Sequence, residues 1–558
     1  MRARFARPRV AGPSQNLHPH LCADGIVAAL VNGALNRRSF VRGAGVGVGG
    51  LILGGRAVWP DPALTRRRRI PFARGGRFTA GVAAGEPTMR GATIWTRLGG
   101  YRRDRRLAVE IARDPGFDRV VLRRVVKARA RRDHTVKLRV RDRRLKPGEE
   151  YFYRFETREK SSPVGRFRTL RPPDSREPVR VAFFSCQDWQ AGYFGAHRTL
   201  AEIDDLDLVL CLGDYIYERN FYEGPREDRT GANEDGEVQT VDEYREKYRL
   251  YRGDADLQAM HARLAFAAIW DDHEVEDNHA GDEPGEATQD PRVPYLQRRA
   301  NGHRVFNEYM PFFDRDPDPE LRIYRTFRLG RTAELFLLDQ RQYRDDQPCG
   351  DELFVPCPEA ESEPRRYLGD EQKEWFKAGL ERSGADWKLV GNQLMVQSLD
   401  APPGNPINKD SWDGYGVERR EVLGHVEQKG IQNIAFLTGD IHTFFAGEVG
   451  VDGRGPGSVA TEFVGGSITS LGIPETIQAV TGAPLTKEQT EAITTQINIT
   501  NPHLKYDEQE SRGYGVVEAA GDELKVEFRA VDALERSTEA KTIGSFRVRS
   551  GEPRVEVL

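Results

Sequence analysis

Val179-Arg180-Val181-Ala182-Phe183-Phe184 running into Ser185-Cys186-Gln187, and Leu206-Asp207-Leu208-Val209-Leu210-Cys211-Leu212 running into Gly213-Asp214-Tyr215-Ile216-Tyr217, are the stretches that decide the fold. Each is a short apolar run of the kind a strand buried on both faces requires, and a helix is expected between them around 197–203. Strand, helix and strand at this spacing make a right-handed parallel unit. Ala267-Ala268-Ile269-Trp270 and the runs at 333–338, 387–390 and 433–437 have the same character. Each ends on polar residues. Ligands gather at the carboxyl ends of strands in open α/β sheets, so these tips should converge.

Upstream, from 78 to 170, the pattern changes to short alternating runs. Ala92-Thr93-Ile94-Trp95-Thr96, Leu107-Ala108-Val109-Glu110-Ile111 and Thr135-Val136-Lys137-Leu138-Arg139-Val140 are separated by turns, and Lys146-Pro147-Gly148 leads into the aromatic run Tyr151-Phe152-Tyr153-Arg154-Phe155. This reads as a small β-sandwich of fibronectin or immunoglobulin type. Residues 172–178 read as a linker, so the chain divides into a sandwich at 78–170 and an α/β domain at 179–550. A length of 558 residues fits two domains with appended segments.

With 83 basic and 86 acidic side chains the formal charge is -3, which provides no general field for nucleic acid or an anionic membrane. The arginines of 102–144 are interleaved with acidic residues and have no stacking platform, so they read as solvated strand faces and no stable nucleic-acid partner is expected. Five cysteines in a chain this long exclude a disulfide scaffold. Cys211 reads as a core thiol. Cys349 and Cys357 lie in a loop with Pro348, Gly350 and Pro356 and could close a small disulfide in an oxidising compartment.

Asn36-Arg37-Arg38-Ser39-Phe40-Val41-Arg42 precedes an uncharged, glycine-rich apolar stretch at 43–55. Paired arginines before a weak apolar region resemble a twin-arginine export signal. Residues 1–60, which include Cys22, are therefore expected to form an export signal and its upstream segment, and 61–77 a linker. A buried glycine-rich loop is the alternative. The stretch is too short to cross a bilayer, and no transmembrane span is expected in the mature form. The expected partner is the twin-arginine translocation machinery, and the expected location is extracellular, periplasmic or cell-wall associated.

Four strand tips carry candidate ligands: Cys186; Asp214 with Tyr217; Asp271-Asp272-His273-Glu274 with Asn278; and Gly439-Asp440-Ile441-His442. Carboxylate and amide oxygens suit hard divalent cations, whereas a thiolate, a phenolate and an imidazole suit a trivalent or softer transition metal. A lone Gly-Asp is a common turn. Four such tips in one chain are a different matter.

The order of these tips resembles the calcineurin-like metallophosphoesterases, and a tyrosine three places after the Gly-Asp aspartate is similar to the ferric-binding feature of purple acid phosphatases. Cys186 in place of a first aspartate, with Trp270-Asp271-Asp272-His273-Glu274 and Asn278, resembles instead the PhoD-type alkaline phosphatases. Supporting stretches are Leu338-Asp339-Gln340-Arg341-Gln342-Tyr343-Arg344, Gly391-Asn392-Gln393 and Trp412-Asp413-Gly414-Tyr415. The resemblance implies a metallophosphoesterase-type α/β sandwich following the β-sandwich. It further implies Fe3+ on Cys186, Asp214, Tyr217 and His442, and Ca2+ on Asp214, Asn278 and Asp440. Asp272 is the alternative to Asn278, the latter preferred, and His273 is placed beside the phosphoryl oxygens.

The expected function is an exported alkaline phosphatase that hydrolyses phosphate mono- and diesters by attack of an oxygen held on the cations. A phospholipase D-like phosphodiesterase, with an apolar rim from Phe221-Tyr222 or from 468–474, is one alternative. A non-catalytic exported binding module is another.

Overall fold

The computed structural model describes residues 70–558 except 222–223, 286–290, 313–320, 352–354, 402–403, 456, 476–477 and 479–484. The stretch read as an export signal, and most of the linker after it, lie outside the described residues. Residues 70–558 form one compact unit.

Among the described residues, seven strands precede the segment 172–178: β1 (Val82–Thr88), β2 (Gly91–Arg97), β3 (Arg105–Ala112), β4 (Val120–Ala128), β5 (Thr135–Arg139), β6 (Glu150–Glu156) and β7 (Gly165–Arg168). After it come β8 (Val179–Phe184), β9 (Leu208–Cys211), β10 (Ala265–Ala268), β11 (Arg325–Leu329), β12 (Ala333–Leu337), β13 (Trp387–Asn392), β14 (Ile434–Thr438), β15 (Phe444–Val449), β16 (Ala460–Gly465) and β17 (Leu504–Glu508). A meander of β18 (Gly513–Ala519), β19 (Glu523–Ala530), β20 (Lys541–Arg549) and β21 (Glu552–Val557) ends the chain.

One ten-stranded sheet runs β21-β20-β19-β18-β8-β9-β10-β1-β2-β5, and a seven-stranded sheet runs β11-β12-β13-β14-β16-β15-β17. Val181, Phe183, Leu210 and Phe528 of the first pack with Leu335, Leu389, Leu437 and Phe463 of the second in one core. The parallel pairs β8–β9–β10 and β12–β13–β14–β16 lie in the two sheets respectively, so ligand-bearing turns come from both. The expected strand at 267–270 is displaced to Ala265–Ala268, because the apolar run continues past the end of the ladder: Trp270 leaves the sheet to donate its indole Nε1–H to Asp339 Oδ1 at 3.2 Å.

The upstream sandwich is present but does not stand apart. Its four-stranded layer, β4-β3-β6-β7, packs on β1, β2 and β5, and those three strands are the end of the ten-stranded sheet. β1 pairs in parallel with β10 through Ala84 and Ala265. Consequently β1 and β2 are buried on both faces: Val82, Ala84 and Ile94 point into the sandwich, Ala83 and Trp95 into the main core. Among the described residues no helix is long and apolar enough to cross a membrane. Cys349 and Cys357 form a disulfide with Cα atoms 6.1 Å apart, while Cys186 and Cys211 are buried free thiols.

Candidate metal centre

The turns after β8, β9, β10 and β14 bring the expected residues to one place. Cys186 Sγ lies 3.4 Å from Asp214 Oδ2, Tyr217 Oη lies 3.3 Å from the same oxygen, and His442 Nε2 is 3.2 Å from Tyr217 Oη. Ligand atoms of Cys186, Asp214 and His442 lie within 4.8 Å of one another, as do those of Asp214, Asp272 and His273, and those of Asp271, Asp272 and Asp440. Asp214 is thus common to a sulfur- and nitrogen-bearing group and an oxygen-rich one.

The backbone is bent to make this possible. Twelve non-glycine residues among those described have positive φ, and five of them are Cys186, Asp214, Asn278, Asp440 and His442. Such conformations cost energy and persist where the surroundings enforce them. Gly213, at φ 125°, also has Asp271 so close that a Cβ would meet it at 2.4 Å. Gly439 serves differently: its φ is ordinary, but a Cβ would strike Ser185 Oγ at 2.6 Å, so the residue is required by close approach.

Outer contacts fix the rings. His442 Nδ1 donates to the Leu471 carbonyl at 2.7 Å, which leaves Nε2 for the centre. The Tyr217 hydroxyl accepts from Ser470 Oγ at 2.7 Å. His273, 8% exposed, stacks on the Tyr217 ring at 4.1 Å, meets Phe221 edge-on at 4.8 Å, and places Nδ1 2.8 Å from Glu218 Oε2.

Electrostatics describe a cluster that lacks positive charge on one side and holds it on the other. Burial, aided by Asp272 and Asp271, pushes the Asp214 carboxyl well above the usual range. Burial, with Asp271 and Asp410, does the same to Asp440, and burial lifts Glu274 to about 8. The Cys186 thiol and Tyr217 phenol are likewise driven up by burial, with negative neighbours adding to it. Burial opposes ionisation of Asp272 too, yet the Arg341 and His273 charges bring it down to about 2. Burial holds His442 down at about 4, neutral as a ligand must be. Asp214 Oδ1 is buried without a hydrogen-bond partner. A thiol, a phenol, a neutral imidazole and converging carboxylates, one with an orphaned oxygen, are donors that fit cations.

The expected residues are therefore all near the centre, with one change of emphasis. Asp272 joins both oxygen-bearing groups, whereas Asn278 is tied to it through the main chain, donating its N–H to Asp272 Oδ2 at 2.7 Å. Sequence reasoning missed Glu218, which orients His273. Its only signal was adjacency to Tyr217.

Comparisons with known proteins show the family. A model of the PhoD-like phosphatase family matches residues 181–528, and one of the PhoD-like phosphatase N-terminal domain matches 66–171. The chain belongs to the PhoD-like phosphatase family. It is 34% identical to alkaline phosphatase D of Bacillus subtilis (strain 168) over 522 residues, covering 90% of this chain and 85% of that one. A solved structure of PhoD superposes with a TM-score of 0.76 at 30% identity, covering 87% of this chain and 93% of that one. The metallophosphoesterase-type α/β fold and a phosphoesterase activity follow, and this PhoD-like phosphatase is a hydrolase rather than a binding module.

Proposed function

We propose that the protein is an exported, two-metal alkaline phosphatase acting on phosphate mono- and diesters. The observation that carries this is the position of Asp214, whose Oδ2 meets Cys186 and Tyr217 while its buried Oδ1 has no hydrogen-bond partner. Cys186, Asp214, Tyr217 and His442 would hold Fe3+; Asp214, Asp440 and Asp272 or Asn278 would hold Ca2+. Cations held there would supply charge neutralisation at the phosphoryl oxygens and a lowered pKa for attacking water.

The chain's own residues supply the rest. Glu218 holds His273 by Nδ1; burial works against a charge on the imidazole, but the carboxylates around it, Asp272 foremost, raise it above its ordinary value. With Nδ1 held by Glu218, the other ring nitrogen is left to donate its N–H to a phosphoryl or leaving oxygen. Phe221 and Tyr217 wall the ring and exclude water on those faces.

Export is supported by Arg37-Arg38 before its apolar stretch and by the Cys349–Cys357 disulfide, which suits an oxidising compartment. The phospholipase D-like alternative called for an apolar rim. Ile468 and Ile473 are buried, which leaves Leu471 as the half-buried apolar side chain of the second candidate stretch, and the half-buried Phe221 packs on His273 and Tyr217. Tyr222 lies outside the described residues. The test is metal analysis of natively exported protein together with hydrolysis of p-nitrophenyl phosphate, bis-p-nitrophenyl phosphate and phosphatidylcholine vesicles. The proposal expects iron and calcium with turnover of the first two; metal-free active protein, or turnover of vesicles alone, would overturn it.

A further inference from the structure

Two stretches singled out in the sequence, 338–344 and 412–415, supply no ligand in the scheme above, yet the first converges with Asp410, beside the second, against the acidic side of the centre. Arg341, with a wholly buried side chain, donates Nε–H to Asp271 Oδ1 and grips Asp410 with both arms, Nη1 to Oδ1 at 2.8 Å and Nη2 to Oδ2 at 2.7 Å. Its loop is pinned by Asp339 Oδ1, which accepts from the N–H groups of Arg341 at 3.2 Å and Gln342 at 3.0 Å. Asp410 is held from behind by Arg344 Nη2 and by Gln347 Nε2, the latter at 2.7 Å from Oδ1. The same two side chains reach the carbonyls of His279 at 3.1 Å and Asn278 at 2.7 Å.

The guanidinium also faces two carboxylates that it does not hydrogen-bond. Nη2 is 3.4 Å from Asp272 Oδ1 and 3.9 Å from Asp440 Oδ1. Charge-assisted contacts that occupy a lone pair run at about 2.7–2.9 Å. At the longer separations the oxygens keep their lone pairs for another partner. Asp272 Oδ2 already accepts the Asn278 N–H, and Asp272 Oδ1 is buried without a hydrogen bond.

We propose that Arg341 is a positioning residue for the oxygen-rich half of the centre: it fixes Asp271 and Asp410 as a frame and stands beside Asp272 and Asp440 without occupying their facing oxygens, which stay open to a divalent cation. It touches neither substrate nor reacting atoms and acts through those two carboxylates. Lysine carries the charge but not the planar fork, so it cannot hold Asp271 and both oxygens of Asp410 together. The inference rests on the two-cation reading.

The experiment compares wild-type holoenzyme with Arg341→Lys. Both metals are counted per chain, calcium retention is titrated with a graded chelator, and the visible spectrum reports the Cys186–Tyr217 half. Arg341→Lys is expected to lose calcium at a chelator concentration at least about tenfold lower than wild type while keeping its iron and visible band, and added calcium chloride is expected to restore occupancy and turnover. Equal calcium retention in both proteins overturns the inference alone, as does loss of both metals in parallel, which marks a general scaffold role. A wild type with no divalent ion overturns the two-cation reading and this inference with it. If Arg341→Lys does not fold, Asp410→Asn frees guanidinium N–H groups to turn onto Asp272 and Asp440 and should show the same selective calcium loss; wild-type retention there overturns the inference.

Discussion

Replacing Glu218 by Gln isolates the orientation of His273. Glu218 is 1% exposed, accepts from His273 Nδ1 at 2.8 Å and from the Asp277 N–H at 3.2 Å, and lies outside the ligand groups. Burial disfavours its charge, but His273, by charge and hydrogen bond, holds its carboxyl below the usual range, so it accepts as a carboxylate. A hydrogen bond to a charged group contributes about 1.5–3 kcal/mol, and about 1.4 kcal/mol is tenfold in rate. The amide keeps the shape and loses the charge, so kcat/KM for p-nitrophenyl phosphate should fall about 10- to 150-fold. Metal content should not change, because no ligand is touched. Activity within twofold of wild type, or a fall that tracks lost metal, would refute the role assigned to Glu218.

Asp214→Asn should abolish hydrolysis and strip both metals, checked by turnover and elemental analysis, since one carboxylate serves two groups. Tyr217→Phe should lose most of a visible charge-transfer band while keeping calcium, with Cys186→Ser as the control for a thiolate contribution; a colourless, iron-free but fully active wild type would point to an all-divalent centre. Lysine at both Arg37 and Arg38 should retain the protein inside the cell, as fractionation of the culture would show. Serine at Cys349 and Cys357, eight residues apart, should cost about 2.5 kcal/mol under oxidising conditions by loop-closure entropy, read from chemical unfolding.

How much was legible in advance depended on whether a residue's role is local in sequence. Cys186, Asp214, Asp440 and His442 follow buried strands within a few residues, so strand and ligand announce each other. Asp410 sits in a loop with no strand before it, and its partner Arg341 is 69 residues away, a pairing that no periodicity encodes. A buried guanidinium among carboxylates, as at Arg341, is defined by distances alone. The meander at 513–557 is readable, since Leu524-Lys525-Val526-Glu527-Phe528 alternates with period two. The shared sheet was not readable. Alternation identifies a strand but not its neighbour, and the only hint was that Val82-Ala83-Ala84 and Ile94-Trp95 are apolar on both faces.

That shared sheet makes the visible boundary at 172–178 a poor place to cut. A chain begun at 179 would leave β10 without its parallel partner β1, exposing a row of unpaired main-chain groups. It would also empty the socket of Trp95, whose indole Nε1–H donates to the Glu308 carbonyl at 2.9 Å from inside the main core. Gly85 marks how tightly the seam is drawn, since a Cβ there would meet the Phe266 carbonyl at 2.5 Å and the Pro311 carbonyl at 2.7 Å. A proteolytic nick in the linker should therefore leave two fragments that migrate as one particle until denatured, whereas the downstream fragment made alone should aggregate through its open edge.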